Sequence, residues 1–574
     1  MTVTLPSRDE NLKFVSETPG RVGKREIARA FQVKGGDRVY LKQLLQEMAD
    51  EGLLAKSGKG LREPSELPPV TVLAVSERTA DGDLLAQPVS WDEAGEPPKV
   101  RLLLRGPAPG MGDRLLARIQ KDDNGYTGKV IKVIEKRPTT QLAVVERVRG
   151  IARLTPTSKK ERDTFAVDQA AVRDLKDGTL VRVETVRGRP ARIIETIGTM
   201  DSEQAVSVLA IQAHGIPDRF PQAVLDAANA VAQAGQAGRE DWRDMPFLTI
   251  DPPDAKDHDD VVHAVPDPSN EGGHIVTVAI ADVAAYVRPG SPMDREAKLR
   301  GNSTYFPDRV VPMLPERISN DLCSLREGEV RPAMAVRMVF AKDGRKTRHS
   351  FHRVLMRSAK RLAYAEAQKI ADGTEADVAP IVADLWAAYA CLKRGREARE
   401  PLELNLPERK IVLTPEGRVD RVVVPERLDA HKLIEEFMIQ SNVAAAETCE
   451  EHKIPLLYRV HDAPSPEKTD ALREFLATLD IRLARGAHLK PMQFNAILAK
   501  VEGTPNGQLV NEVVLRSQTQ AEYAPGNLGH FGLNLRRYAH FTSPIRRYSD
   551  LIVHRALIRA LGLGEDGLTD AEMA

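Results

Sequence analysis

Long apolar runs, cysteines and aromatic residues are all scarce in this chain of 574 residues. No stretch approaches the ~18 consecutive apolar residues of a membrane-spanning helix, so no membrane partner is expected. Residues 1–10 carry no apolar core of a secretory signal, and a cytoplasmic location is expected. The 3 cysteines, Cys323, Cys391 and Cys449, lie far apart in the chain. That spacing forms no metal-ligand pattern, and it fits reduced, mostly buried thiols. Charge of one sign is also lacking overall, with 82 Lys+Arg against 82 Asp+Glu. The distribution is less even than the sum: from Lys129 to Glu195 there are 16 Lys/Arg against 9 Asp/Glu. A local basic excess of this kind is the electrostatic footprint of a polyanion partner. A hydrophobic content of 42% and a charged content of 29% describe an ordinary folded protein. The length implies several domains.

Against that background one segment stands out. Residues 251–260 read Asp-Pro-Pro-Asp-Ala-Lys-Asp-His-Asp-Asp, 5 aspartates in 10 residues. Carboxylates this close repel one another, and on an ordered surface a cation must neutralise them. Mg²⁺ and Mn²⁺ prefer such hard oxygen donors, and held beside a polyanion they serve phosphodiester cleavage. A solvated acidic loop is the plainer alternative. The flanking apolar segments, 245–250 and 261–265, argue instead for a core element. An EF-hand is excluded: counting from Asp251, position 6 is Lys256 where glycine is required, and position 12 is Val262. The pattern predicts strands over 257–265 and 274–282. In an extended segment Asp257 and Asp259 share a side and Asp260 needs a bend to join them.

The second segment runs from Tyr538 to Asp550. Ser543-Pro544 reads as a helix start, serine capping and proline first. Arg546 and Arg547 then fall in the first turn, where cations are disfavoured by the helix dipole unless an anion binds there. A plain amphipathic helix with surface arginines is the alternative.

Together these two segments resemble the ribonuclease II and ribonuclease R family of exoribonucleases. Asp251, Asp257, Asp259 and Asp260 match the family's aspartate pattern, and Ser543 to Tyr548 match its Ser-Pro-Ile-Arg-Arg-Tyr run. Segments 301–306, 312–315, 321–325, 431–436, 459–462 and 529–532 match further motifs. The resemblance covers essentially the whole chain and is strongest from about Phe247 to Arg555. It implies processive 3′→5′ hydrolysis of RNA to 5′-mononucleotides, with the four aspartates as ligands for Mg²⁺ (or Mn²⁺) and Arg546 set against the developing phosphoryl charge. Asp259 matches the aspartate most clearly needed for chemistry. Tyr305 matches an aromatic that packs on the 3′-terminal nucleotide, with a core tyrosine as the alternative. Glu435 matches a glutamate near the terminal ribose, where a 2′-OH is sensed; Glu436 is its structural neighbour. Arg547 and His540 complete the expected RNA contacts, although a structural role fits His540 equally well. Leu404 falls where many members carry a second clamping aromatic, which leaves the end-product length open.

The expected architecture is multidomain α+β. Residues 1–66 form a winged-helix module, with Val39, Leu41, Leu44, Leu45 and Met48 at helical spacing before a Gly/Lys segment. Residues 67–137 and 138–204 form two cold-shock/OB β-barrels, from their short alternating apolar runs. Stacking aromatics are few there, Tyr126 and Phe165 being the candidates. Residues 205–574 form the mixed α/β RNB catalytic domain, with helices over 363–393 and 429–447. The resemblance continues, in the family, into a further helix, an S1-type barrel and often a Lys-rich tail, none of which follows here. A C-terminally truncated chain is therefore expected. The partner is single-stranded RNA or RNA with a 3′ overhang, acted on by a monomer. Three other classes compete: an RNA-binding or remodelling protein without turnover, a metal-dependent DNA nuclease, and a transcription regulator suggested by the winged helix alone.

Overall fold

The computed structural model describes residues 6–573 except 18–21, 32, 34–36, 51–54, 58–59, 63–66, 80–82, 92–96, 105–108, 110–111, 123–124, 136–138, 159–163, 187–188, 201, 415–417 and 484–488. Contacts divide the chain into two units, 1–212 and 213–574.

In the first unit, helices α1 (Arg8–Glu17), α2 (Lys24–Ala30) and α3 (Asp37–Asp50) accompany three short strands, β1 (Val22–Gly23), β2 (Ala55–Ser57) and β3 (Gly60–Arg62), ordered β1-β3-β2. Leu41, Leu45 and Met48 are buried against Val15, Val22 and Ile27, so the helical spacing read from α3 is the spacing of a core face. The side chain of Val39 and residues Gly58 and Lys59 lie outside the described residues. Strands β4 (Val70–Arg78), β5 (Leu84–Pro88), β6 (Val100–Leu103), β7 (Arg114–Asp122) and β8 (Gly125–Glu135) close into a barrel ordered β4-β5-β6-β8-β7. Its β6–β8 pair is parallel and the other pairs are antiparallel. Alternate residues such as Leu73 and Val75, and Leu115 and Ala117, point inward, as a period of two requires.

Strands β9 (Thr139–Val148), β10 (Ile151–Pro156), β11 (Phe165–Ala166), β12 (Thr179–Thr185) and β13 (Arg192–Thr199) form a five-stranded sheet ordered β11-β10-β9-β12-β13. Where the sequence predicts a second closed barrel, the edges meet, among the described residues, at a parallel bridge, Val167 to Ala191, beside the bond from Ala191 N–H to the Ala166 carbonyl at 2.7 Å. β11 is only two residues long and pairs with β10. The two candidate stacking aromatics, Tyr126 and Phe165, are half-buried against the two cores. Parts of the basic stretch, 136–138, 159–163 and 187–188, lie outside the described residues. Helix α4 (Glu203–Ala213) packs Ala205 and Val208 onto Leu142 and Leu180.

The second unit follows with α5 (Gln222–Ala230), β14 (Glu240–Asp251), β15 (Asp260–Pro266), β16 (His274–Ala281), α6 (Pro292–Arg300) and the small hairpin β17 (Thr304–Tyr305) and β18 (Val310–Val311). Next come β19 (Val330–Phe340), β20 (Lys346–Ala363), α7 (Tyr364–Ala371), α8 (Ala379–Arg399), hairpin β21 (Lys410–Leu413) and β22 (Val419–Val423), and α9 (Asp429–Glu451). The unit ends with β23 (Tyr458–Val460), α10 (Pro466–Ala477), α11 (Pro491–Val501), α12 (Gly507–Ser517), β24 (Glu522–Ala524), α13 (Tyr548–Leu561) and α14 (Asp570–Met573). Strands β14-β15-β16-β19-β20 close a second barrel through a parallel β14–β20 pair.

β16 and β19 read as nearly continuous apolar runs because both of their faces are covered. The barrel core lies on one side, and α8 and α9 contribute to the cover on the other. α9 is buried over most of its length, through Leu433, Phe437 and Ala444 to Ala446; removing a phenylalanine such as Phe437 costs about 3–5 kcal/mol. The turn between β19 and β20 touches α8 so closely that a Cβ on Gly395 would lie 2.6 Å from the Gly344 carbonyl oxygen.

Three local expectations need correcting. Residues 255–259 are loop, and β15 begins only at Asp260. The predicted 363–393 helix is two helices, α7 and α8, separated after Ala371 by Asp372-Gly373, where Gly373 has a φ of 108°. Helix α13 begins at Tyr548 rather than at Ser543-Pro544. Pairing explains the last: Ser303 N–H bonds the Arg546 carbonyl at 2.9 Å, Asn302 bridges Arg547, and Tyr548 N–H bonds the Gly301 carbonyl at 2.8 Å. These bonds hold 546–547 out of a helix.

Candidate active site

The end of β14, the 252–259 loop and the start of β15 bring Asp251, Asp257, Asp259 and Asp260 to one rim of the barrel. They line a cavity of about 920 Å³ together with Tyr305, Glu435, His540, Arg546 and Arg547. These nine residues, each singled out in the sequence, therefore face one space, although the chain separates the first from the last by nearly 300 positions.

Asp259 is the most enclosed of the aspartates. Its Oδ1 accepts the Ile545 N–H at 3.0 Å, and its Oδ2 lies 3.3 Å from Arg546 Nε. Burial pushes its carboxyl up to about 7, with Arg546 pulling the other way and Asp257 adding to the rise. Asp260 is raised well above the ordinary carboxylate range by burial and by the charges of Asp251 and Asp259. Asp257 accepts from the Tyr305 hydroxyl at 3.3 Å, and burial and that neighbouring charge push Tyr305 up to about 12. Asp251 Oδ2 lies 2.7 Å from His258 Nδ1.

The Ser543–Arg546 turn brings Arg546 to the cavity. Ser543 Oγ accepts from Arg546 Nη2 at 3.2 Å, so the guanidinium is braced on both Ser543 and Asp259 while 46% of its side chain stays exposed. Its neighbour is committed elsewhere. Arg547 makes two bonds to the fully buried Asp550, at 2.9 and 2.7 Å, and Asp550 also accepts Ser543 N–H at 2.8 Å. Burial would raise the Asp550 carboxyl, but Arg547 outweighs it and holds the group below its usual range.

His540 Nδ1 lies 2.7 Å from the Tyr523 hydroxyl, and the ring packs edge-on against Tyr523 and Tyr538. Burial and Arg547 push its pKa down to about 3, so it is neutral at ordinary pH and no cation for phosphate. Glu435 is held by Arg396 at 3.3 Å and by Arg427. Glu436 is buried and takes both Arg399 Nη groups, at 3.0 and 3.1 Å. Leu404 packs against the core of α10–α12 and is not among the cavity-lining residues.

Sequence reasoning missed several cavity residues. Tyr364 lines the wall, stacked on His431 with ring centroids 4.0 Å apart. Asn442 bonds the Tyr538 hydroxyl at 3.0 Å and the Phe541 N–H at 2.7 Å. Lys410 lies 3.7 Å from Asp254. Nothing in local spacing marks them, but His258 sits inside the aspartate run itself and could have been weighed there.

Among the described residues no three imidazole, thiolate or carboxylate groups are gathered as a finished metal-ligand set. The donors nonetheless fit a hard divalent cation. They are all carboxylate oxygens, they share one cavity, and Asp259 and Asp260 have their charged forms destabilised by burial and by neighbouring carboxylates.

The RNB domain model matches residues 239–562, which include the whole second barrel and the site. The chain is 34% identical to ribonuclease R of Escherichia coli over 96% of this chain and 70% of that one. It is 31% identical to ribonuclease R of Aquifex aeolicus over 96% of this chain and 79% of that one. The fold matches the Mycoplasma genitalium RNase R in complex with double-stranded RNA with a TM-score of 0.68 and 26% identity, over 77% of this chain and 80% of that chain. The chain belongs to the ribonuclease R family. Its activity is that of a hydrolytic 3′→5′ exoribonuclease.

Proposed function

We propose that the cavity shortens RNA from its 3′ end by processive hydrolysis, releasing 5′-mononucleotides, and that Asp251, Asp257, Asp259 and Asp260 hold Mg²⁺ or Mn²⁺ for that reaction. The observation that carries this reading is the convergence of four carboxylates and a braced but accessible arginine on one cavity. Divalent cations there supply charge relief at the phosphoryl oxygens and a water of lowered pKa. Arg546 turns its guanidinium fork to the phosphoryl oxygens where charge develops, and Asp259 with Ser543 keeps it from swinging away. Asp257 fixes the Tyr305 hydroxyl, leaving the ring, 53% exposed by residue, to stack on the terminal base. Glu435, steadied by Arg396, meets the terminal ribose. Arg547 acts by holding Asp550 and the turn, rather than by touching RNA.

The same proposal extends to the other modules. The β4–β8 barrel and the β9–β13 sheet both have the strand order of OB folds, and we assign them as cold-shock modules that grip single-stranded RNA or a 3′ overhang by its backbone. Residues 1–66 are read as a winged helix, the chain as a monomer and its location as cytoplasmic. A purely RNA-binding role is not favoured, because nothing in binding alone requires four carboxylates and Arg546 around one space.

The test uses 3′-labelled and 5′-labelled single-stranded RNA with Mg²⁺, comparing the chain with Asp259→Asn. Mononucleotides released from the 3′ end, lost in the variant while RNA binding persists, are expected. Internal cleavage, or turnover unchanged by the substitution, would refute the assignment.

A further inference from the structure

One histidine inside the aspartate run has a role that no pattern announces. β14 ends at Asp251, the chain loops out, and β15 begins at Asp260. His258 sits on the return of that loop, 5% exposed, with Nδ1 2.7 Å from Asp251 Oδ2. A carboxylate can only accept, so Nδ1 carries the hydrogen and the imidazole donates. The ring has a fixed base. His258 N–H bonds Ser324 Oγ at 3.1 Å, its carbonyl accepts Leu325 N–H at 3.0 Å, and Ser324 Oγ donates to the Lys256 carbonyl at 2.9 Å.

Asp251 shares the cavity wall with Asp260. Like charges there favour a rotation of the Asp251 side chain away from its neighbour. The bond from His258 opposes that rotation. We propose that His258 is a positioning residue, which fixes the Asp251 carboxylate in the orientation that receives a divalent cation; the inference rests on the reading of Asp251 as a cation ligand. Hydrogen-bond partners behind metal ligands set ligand orientation, and losing one typically costs about 10–100-fold in metal affinity.

The experiment is a calorimetric Mn²⁺ titration of the full chain without RNA, with thermal unfolding in parallel. It compares the parent with His258→Phe, His258→Asn, Asp251→Asn, Asp259→Asn and the double variant of His258→Phe with Asp251→Asn. His258→Phe is expected to weaken Mn²⁺ by about 10–100-fold, and its kcat to recover in excess Mn²⁺ while KM for RNA stays unchanged. His258→Asn, whose amide N–H falls near the Nδ1 position, should regain most of the affinity. His258→Phe should add little to Asp251→Asn. Unchanged Mn²⁺ affinity in His258→Phe, while the two aspartate variants still weaken it, overturns the positioning role and leaves the cation reading standing. If no variant alters Mn²⁺ binding, the cation reading fails and the positioning role fails with it. A loss that His258→Asn does not recover, accompanied by a lower unfolding midpoint, makes His258 a loop-packing residue and also overturns the proposal.

Discussion

Replacing Asp550 by alanine should destabilise the 213–574 unit by about 3 kcal/mol or more. Asp550 is fully buried and accepts four hydrogen bonds: Arg547 Nε at 2.9 Å, Arg547 Nη2 at 2.7 Å, Ser543 N–H at 2.8 Å and Ser549 Oγ at 3.1 Å. Bonds to a charged group contribute about 1.5–3 kcal/mol each, and a buried N–H left without a partner costs about 1–3 kcal/mol. Breaking a buried ion pair from one side typically costs about 3–5 kcal/mol. Arg547 keeps 29% of its side chain exposed, so water recovers part of its loss and the lower end of that range applies. Asp550→Asn keeps an acceptor for Ser543 and should lose roughly half as much. Urea unfolding followed by tryptophan fluorescence, with Trp242 and Trp386 as reporters in this unit, measures the difference. Turnover should fall as well, since the same turn presents Ile545 N–H and Arg546 to Asp259. The sign with pH follows from the lowered Asp550 pKa. Its contribution is full above the unfolded value of about 3.9 and is lost as pH falls through the folded value, and Asp550→Asn should lack that part of the acid sensitivity. A loss below about 1 kcal/mol in Asp550→Ala, with normal turnover, would show that this pair does not hold the turn.

Arg546→Lys keeps the charge but not the fork, and Arg546→Ala removes both; kcat should fall about 10²–10³-fold in the alanine variant and less with lysine, as read in single-turnover assays. Tyr305→Phe should leave RNA affinity nearly intact, whereas Tyr305→Ala should weaken binding of a short RNA by the ~1–3 kcal/mol of one base stack, measurable by fluorescence anisotropy with catalysis blocked by Asp259→Asn. His530 is pushed down to about 4, chiefly by burial. Its contribution is therefore present above the unfolded value of about 6.5 and is lost as pH falls towards 4, so His530→Gln should flatten the stability profile across that window in denaturant titrations.

The chemistry-bearing residues were legible in the sequence because they are crowded. Aspartates at 251, 257, 259 and 260 fall within ten residues between apolar segments, and Arg546 is marked by the run around it. Local geometry was less legible. Ser543-Pro544 carries every signal of a helix start, yet pairing with 301–303 overrides it. The alternation at Asp257 and Asp259 suggested a strand, but the 252–259 loop turns these side chains independently, and Asp259 ends against Ile545. Partners such as Asn442 and Tyr364 lie a hundred or more positions from the aspartates and were beyond the reach of spacing rules. His258 was closer, but its contact with Asp251 depends on how sharply the loop returns.

The second barrel places all four carboxylates in a single ten-residue crossing between two neighbouring strands. Other parts of the wall come from elsewhere in the chain: the β17–β18 hairpin with Tyr305, the β21 strand with Lys410, and α9 with Glu435. The carboxylates proposed to hold the cation and the side chains proposed to meet the RNA end thus lie on different stretches of polypeptide. Under the proposed roles, a change in α9 or in β21 would adjust the part of the wall that meets RNA, whereas a change at Tyr305 would also reach the carboxylates through its hydroxyl bond to Asp257.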